Sequence, residues 1–145
     1  MDKQQILVVD DEEINRLILM EMFHDSLDEY ELLEAEDGLK AVEQIEKNQN
    51  IVLILLDVVM PRMDGFKVLE YMQEQKLLDS IPVILITGES IEDSEGRAYD
   101  FGVADVIHKP FFTHIVRRRS KNIIELYQNK HNMERRLKEQ EIAIR

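Results

Sequence analysis

The chain has 145 residues, of which 44% are hydrophobic, and no cysteine. That is enough for one domain with a real core and one extra element, and it excludes a disulfide scaffold or a thiolate metal site. No apolar run approaches the roughly 20 residues of a membrane span, and Met1-Asp-Lys-Gln-Gln5 lacks the basic-then-apolar pattern of a signal peptide, so a cytoplasmic protein without membrane contact is expected.

The net charge of −12 is unevenly spread: residues 1–112 carry 26 acids and 9 bases, and residues 113–145 carry 4 acids and 9 bases. An acidic body of this kind argues against nucleic acid binding, and the basic tail reads as a solvated helix surface.

Gln5-Ile-Leu-Val-Val9 is a short aliphatic run and predicts a first strand. Asp10-Asp11-Glu12-Glu13 follows, then a helix with Ile14, Leu17, Ile18 and Met22 at three- and four-residue spacing as its apolar stripe. Acids suit a helix start, but adjacent Asp10 and Asp11 repel one another and only one can serve as a cap. A hard divalent cation such as Mg²⁺ would relieve that repulsion. Tyr30–Ala35 predicts a strand nearer the sheet edge, because polar residues interleave it. Asp37-Gly38 makes a turn, and Leu39–Lys47 forms a helix with Ala41, Val42 and Ile45 inward.

Ile51-Val-Leu-Ile-Leu-Leu56 is aliphatic throughout, which suits a central strand of a parallel sheet, buried on both faces. It ends in Asp57. A carboxylate there sits at the crevice where open α/β sheets place ligands. Pro61 and Asp64-Gly65 mark the next loop, and Phe66, Val68, Leu69 and Met72 place a helix after it. Val83–Ile86 predicts a fourth strand running into Thr87-Gly88-Glu89. Ser90–Phe101 is a poor helix with Gly96 inside and Gly102 at its end. Asp105–His108 predicts a short fifth strand, followed by Lys109-Pro110-Phe111.

Five strands alternating with helices define an α/β, doubly wound parallel sheet. Right-handed crossovers put every strand C-terminus on one edge, and so bring together Asp10, Asp11, Asp57, Thr87 and Lys109. Caps alone do not explain three carboxylates, a hydroxyl and an amine at the ends of four strands. The set suits phosphoryl transfer, which needs positioning and charge neutralisation. In that reading Asp57 is the expected nucleophile, Asp10 and Asp11 would hold Mg²⁺, and Lys109 and Thr87 would approach the phosphoryl oxygens. Gly88 keeps the approach open.

At these residues the sequence resembles the response-regulator receiver domain of two-component signalling. The matching pieces are Val8-Val-Asp10-Asp11, Leu56-Asp57-Val-Val-Met-Pro61 with Asp64-Gly65, Ile86-Thr87-Gly88 and His108-Lys109-Pro110-Phe111, over residues 5 to about 120. The resemblance implies a CheY-like, flavodoxin-like sheet of five strands in the order 2-1-3-4-5. It implies that Asp57 accepts a phosphoryl group from a sensor histidine kinase. It implies Asp11 and Asp57 as direct Mg²⁺ ligands, with Asp10 assisting through water and the backbone carbonyl of Val59 completing the set. A cis Lys109–Pro110 peptide is implied as well. One position departs from the family: the aromatic expected three residues before the lysine is Val106. No ring can swing there to report phosphorylation, so output must use another route, for which the weak fourth helix is a candidate.

From Thr113 no Gly or Pro interrupts the chain through Arg145, which predicts one long helix. A heptad register runs Val116, Arg119, Ile123, Leu126, Lys130, Met133, Leu137, Gln140, Ile144, a seam suited to a parallel homodimer through residues 116–144. The expected organisation is a receiver at 1–120 and a helical linker or coiled coil at 121–145. Arg117–Lys130 looks like the linker of regulators that carry a further catalytic domain, and the chain is expected to be part of a longer protein.

Two other classes compete. A haloacid dehalogenase-like phosphohydrolase also uses an aspartyl phosphate, but it needs a second Asp at the position held here by Val59. A purely structural module would not need the complete Asp, Thr and Lys set. The receiver itself is expected to be a phosphoacceptor signalling domain rather than an enzyme.

Overall fold

The computed structural model describes residues 3–88 and 91–144, the side chains of 91–94, 143 and 144 excepted. The predictions for Glu89 and Ser90, and for the side chain of Ile144, lie outside the described residues. Along the chain run β1 (Gln4–Val9), α1 (Glu13–Glu21), β2 (Tyr30–Ala35), α2 (Gly38–Lys47), β3 (Ile51–Asp57), α3 (Gly65–Glu74), β4 (Val83–Thr87), α4 (Ile91–Phe101), β5 (Asp105–His108) and α5 (Thr113–Ile144). The strands form one parallel sheet in the order β2-β1-β3-β4-β5, the order that the family resemblance implies.

Alternation along each strand divides the core in two. Leu7, Val9, Ile54, Leu56, Val83 and Leu85 meet Ala41 and Ile45 of α2, Val68 and Met72 of α3 and Ala98 of α4 on one face. Ile6, Val8, Leu53, Leu55, Ile84 and Ile107 meet Leu19 of α1, Phe23, and Val116 and Ile124 of α5 on the other. Helices therefore cover both faces, and β1, β3 and β4 can be almost wholly aliphatic. β2 lies at the edge and keeps its polar residues outward, with Glu31 and Glu34 exposed.

The apolar stripe predicted for α1 is not its buried face. Ile14 is 60% exposed and Leu17 52%, whereas Leu19 is 2% exposed and Phe23 fully buried. The face toward the sheet is set by how α1 leaves β1, and its spacing alone does not reveal that angle. At the N-terminus of α1 the Asp10 carboxylate accepts a hydrogen bond from the Glu12 N–H at 3.0 Å. Asp37 and Asp64 cap α2 and α3 by accepting from the Lys40 and Lys67 N–H groups. Gly102 (φ 100°) ends α4 in a conformation that favours glycine.

α5 is continuous over 32 residues, about 48 Å at 1.5 Å per residue. Its first half packs on the body: Val116, Ser120 and Ile124 are buried, and Ile123 is half-buried against the core. Arg119 pairs with Asp105 at 3.4 Å. The first three positions of the predicted seam, Val116, Arg119 and Ile123, are thus engaged by the chain's own domain. Leu126, Met133 and Leu137 are exposed, and residues 129–142 are exposed throughout.

Candidate functional site

The register of the sheet builds the site. Val9 lies beside Leu56, and Thr87 lies beside His108, so the residues that follow these pairs meet at one edge. Asp10 and Asp57 are almost wholly buried, 1% and 6% exposed, while Asp11 is exposed. Asp10, Asp11 and Asp57 each offer a carboxylate oxygen within 4.8 Å of the others. Lys109 bridges the buried pair, its Nζ 3.2 Å from Asp10 Oδ2 and 3.5 Å from Asp57 Oδ1. The Lys109 N–H donates to the Thr87 carbonyl at 2.8 Å, which ties the ends of β4 and β5 together. Thr87 is buried and Gly88 exposed, with open space beyond ordinary contact at Lys109. The Lys109–Pro110 peptide is cis.

Local sequence explains the fine placement. The Val58 N–H donates to Asp57 Oδ1 at 2.9 Å. Gly65 presses its backbone against β3, and a Cβ there would come within 2.3 Å of the Asp57 carbonyl oxygen. The Arg16 guanidinium donates to the Asp10 carbonyl at 2.9 Å and so anchors α1 to the end of β1. Val59 is exposed beside the site, and Val106 is buried in the core below α4.

Burial is the main cause that pushes the Asp57 carboxyl up to about 6, and the charge of Asp10 adds to it; Lys109 and the Val58 N–H oppose them. Burial would lower the Lys109 ammonium, but the charges of Asp57 and Asp10 outweigh it and hold the group above its ordinary value. Lys109 is therefore a permanent cation. Three convergent carboxylates form an all-oxygen donor set, which fits a hard divalent cation such as Mg²⁺.

Residues the sequence reading did not single out also bear on the site. Arg62 pairs with buried Asp37, and Arg16 supports Asp10. Among the described residues, Asp37-Gly38 and the Pro61 loop showed only as turn signals in the sequence. Their contact with each other is a tertiary fact.

Comparison with known proteins places this fold and site. The chain matches the response regulator receiver domain family over residues 6–139 and belongs to that family. It is 37% identical over 108 residues to the transcriptional regulatory protein SrrA of Staphylococcus aureus, covering 74% of this chain and 42% of that protein. The chain thus spans less than half the length of these curated relatives. Among solved structures it is similar to a CheY-like receiver domain protein from Methanospirillum hungatei JF-1 (TM-score 0.78, 21% identity, 89% of this chain and 99% of that one). It is also similar to NtrX from Brucella abortus (TM-score 0.78, 26% identity, 92% of this chain and 30% of that one). The chain is a receiver domain of two-component signalling, and the haloacid dehalogenase alternative falls away. Receiver domains of this family take their phosphoryl group from histidine kinases. Among the described residues, no helix is long and apolar enough to cross a membrane.

The raised Asp57 pKa has a measurable consequence. The folded chain holds an extra proton between roughly pH 4 and 6, so the metal-free fold loses stability as pH rises through that window. In chelator at pH 7.5, Asp57→Asn is expected to raise the melting temperature by about 5 °C, with the gap closing near pH 4. Thermal unfolding followed by circular dichroism across that range checks it. A mutant no more stable than the parent at pH 7.5 would contradict the expectation.

Proposed function

We propose that Asp57 is the residue that accepts the phosphoryl group, and that a sensor histidine kinase is the donor. The observation that supports this best is the position of its carboxylate: buried at the end of the central strand, beside two further carboxylates and one fixed ammonium. Asp57 would attack the phosphorus as a carboxylate anion, forming the acyl phosphate as the phosphorus–nitrogen bond of the donor phosphohistidine breaks. Asp10, Asp11, Asp57 and the Val59 carbonyl would hold Mg²⁺, which supplies positive charge to the phosphoryl oxygens when bound. Lys109 exchanges its contact with Asp57 for the incoming phosphoryl oxygens, and Thr87 supplies a hydroxyl on their other side. The exposed backbone of Gly88 leaves room for the donor. The chain acts by carrying a phosphorylation state and performs no turnover of its own.

The donor has a surface to use. Ile14, Leu17 and Ile18 are exposed on α1, and Leu17, Ile18 and Met22 share a shallow groove with Thr113 at the start of α5. α1 begins directly after the acidic pair, so a helical kinase domain lying in this groove would face Asp57.

Output would run through α5. The exposed Leu126, Met133 and Leu137 keep the heptad spacing of the predicted seam. A parallel homodimer paired beyond about residue 126 would bury them, and Lys130 within the seam keeps the joint weak. The receiver body and the helical extension are then best divided near residue 128, later than residue 120, because Ile124 is part of the core.

Asp57→Asn should abolish labelling by acetyl phosphate with Mg²⁺, as read by intact mass. Acid-stable labelling retained in the mutant would remove the assignment. Ile18→Asp should slow transfer from a phosphorylated kinase at least tenfold while acetyl phosphate labelling stays at the parent rate; equal slowing in both would deny α1 a docking role. Sedimentation of the chain at high micromolar concentration should detect a dimer, strengthened or weakened by beryllofluoride, that Met133→Glu with Leu137→Glu abolishes. A monomer under every condition rules out pairing.

A further inference from the structure

Arg62 holds a left-handed backbone (φ 66°), which side-chain-bearing residues rarely adopt. Its guanidinium pairs with Asp37 Oδ2, and Asp37 is 1% exposed. The other oxygen of Asp37 accepts from the Lys40 N–H at 2.8 Å and so caps α2. One residue further along each segment, the Gly38 N–H donates to the Met63 carbonyl at 3.0 Å. A Cβ on Gly38 would lie 2.2 Å from that oxygen, so the two segments touch backbone to backbone. At the α3 end of the same loop, the Gly65 N–H donates to the Val58 carbonyl at 2.8 Å, and the Asp64 side chain accepts from the Lys67 N–H at 3.0 Å. The loop of residues 58–64 is thus anchored on both sides: to β3 and α3 through Gly65, and to the β2–α2 turn through Arg62 and Met63.

This loop begins at the acceptor. The Val58 N–H holds Asp57 Oδ1 at 2.9 Å, and Val59 comes next. A side-chain ligand can choose a rotamer, but a backbone carbonyl points where the loop's own dihedrals send it. Asp37 sits buried, and its Oδ2 would lose its charged partner if the guanidinium departed. The pair ties Arg62, whose own side chain is exposed, to the start of α2, and with it the path of the loop.

We propose that Arg62 and Asp37 are a positioning pair for the divalent-cation site, aiming the Val59 carbonyl and the Val58 N–H from outside it. The proposal rests on the reading of Asp57 and Val59 as cation ligands. Neither member of the pair touches the cation. The role is to keep a backbone ligand in line without a rearrangement of the loop when the cation arrives.

Arg62→Gly separates this role from folding, because glycine is at ease at φ 66° and only the guanidinium is lost. Mg²⁺ would be titrated calorimetrically into the intact chain, with amide hydrogen exchange of residues 58–64 measured separately in chelator. The expected result is an Mg²⁺ dissociation constant raised about tenfold, as for loss of an outer-shell partner. Exchange in 58–64 should be faster without metal, while a far-ultraviolet circular dichroism spectrum like the parent's shows that the fold is kept. Arg62→Lys should recover part of the affinity, since an ammonium restores the charge but not the fork. Asp37→Asn, which keeps a capping oxygen, should weaken Mg²⁺ in the same direction and stands in if Arg62→Gly fails to fold. Parent affinity in both Arg62→Gly and Asp37→Asn, or unchanged exchange in 58–64, overturns the proposal. The underlying reading fails separately if the parent chain does not bind Mg²⁺ or if Asp57→Asn binds it equally well.

Discussion

A single ammonium holds the working edge of this protein together. Lys109 reaches 3.2 Å from Asp10 and 3.5 Å from Asp57, two carboxylates that are almost wholly buried. Two such charges side by side, with Asp11 at the rim, would repel strongly in a low-dielectric pocket. The lysine lies at the end of β5, two strands from β3, and only its length lets it span the gap. The pocket is thus stable enough to fold yet keeps an excess of negative charge.

Everything beneath the edge serves as a rigid support. The aliphatic strands β1, β3 and β4 are packed on both faces, so the ends that carry Asp10, Asp57 and Thr87 have little freedom to shift. Adjustable parts lie around that support. Val106 is packed beneath α4 in the core that also holds Ala98 and Val103, and it has no ring to move. The contacts that join the site to α4 are of another kind. Lys109 is bonded through its backbone to Thr87, and its neighbour His108 brings Nε2 to 3.6 Å from Glu95 of α4. Thr87 and Lys109 are thus joined to α4 by this polar contact and by the packing around Val106.

α5 has two characters in one helix. Val116 and Ile124 are core residues of the body, whereas Met133 and Leu137 are exposed. Because the helix is unbroken, any tilt imposed near Thr113 is carried as a rigid lever to its exposed half.

The sequence alone determined the class of fold and which chemical groups share its edge. Runs such as Ile51–Leu56 can be buried only in a two-sided parallel sheet, and carboxylates, hydroxyl and amine at the strand ends then have to meet, whatever the details of packing. The tertiary structure decided what depends on the angle between elements. The stripe of Ile14, Leu17 and Ile18 reads as a buried face, yet α1 turns Leu19 inward and leaves the stripe to solvent. Val116 fits a heptad seam equally well as it fits the core, and only the docking of α5 on the sheet chooses the core. Asp37 and Arg62 are 25 residues apart and carry no shared signal; they meet because two neighbouring loops emerge from the same edge. Spacing fixes which residues share a face of one helix, but the direction of that face is set by the neighbours against which the helix packs.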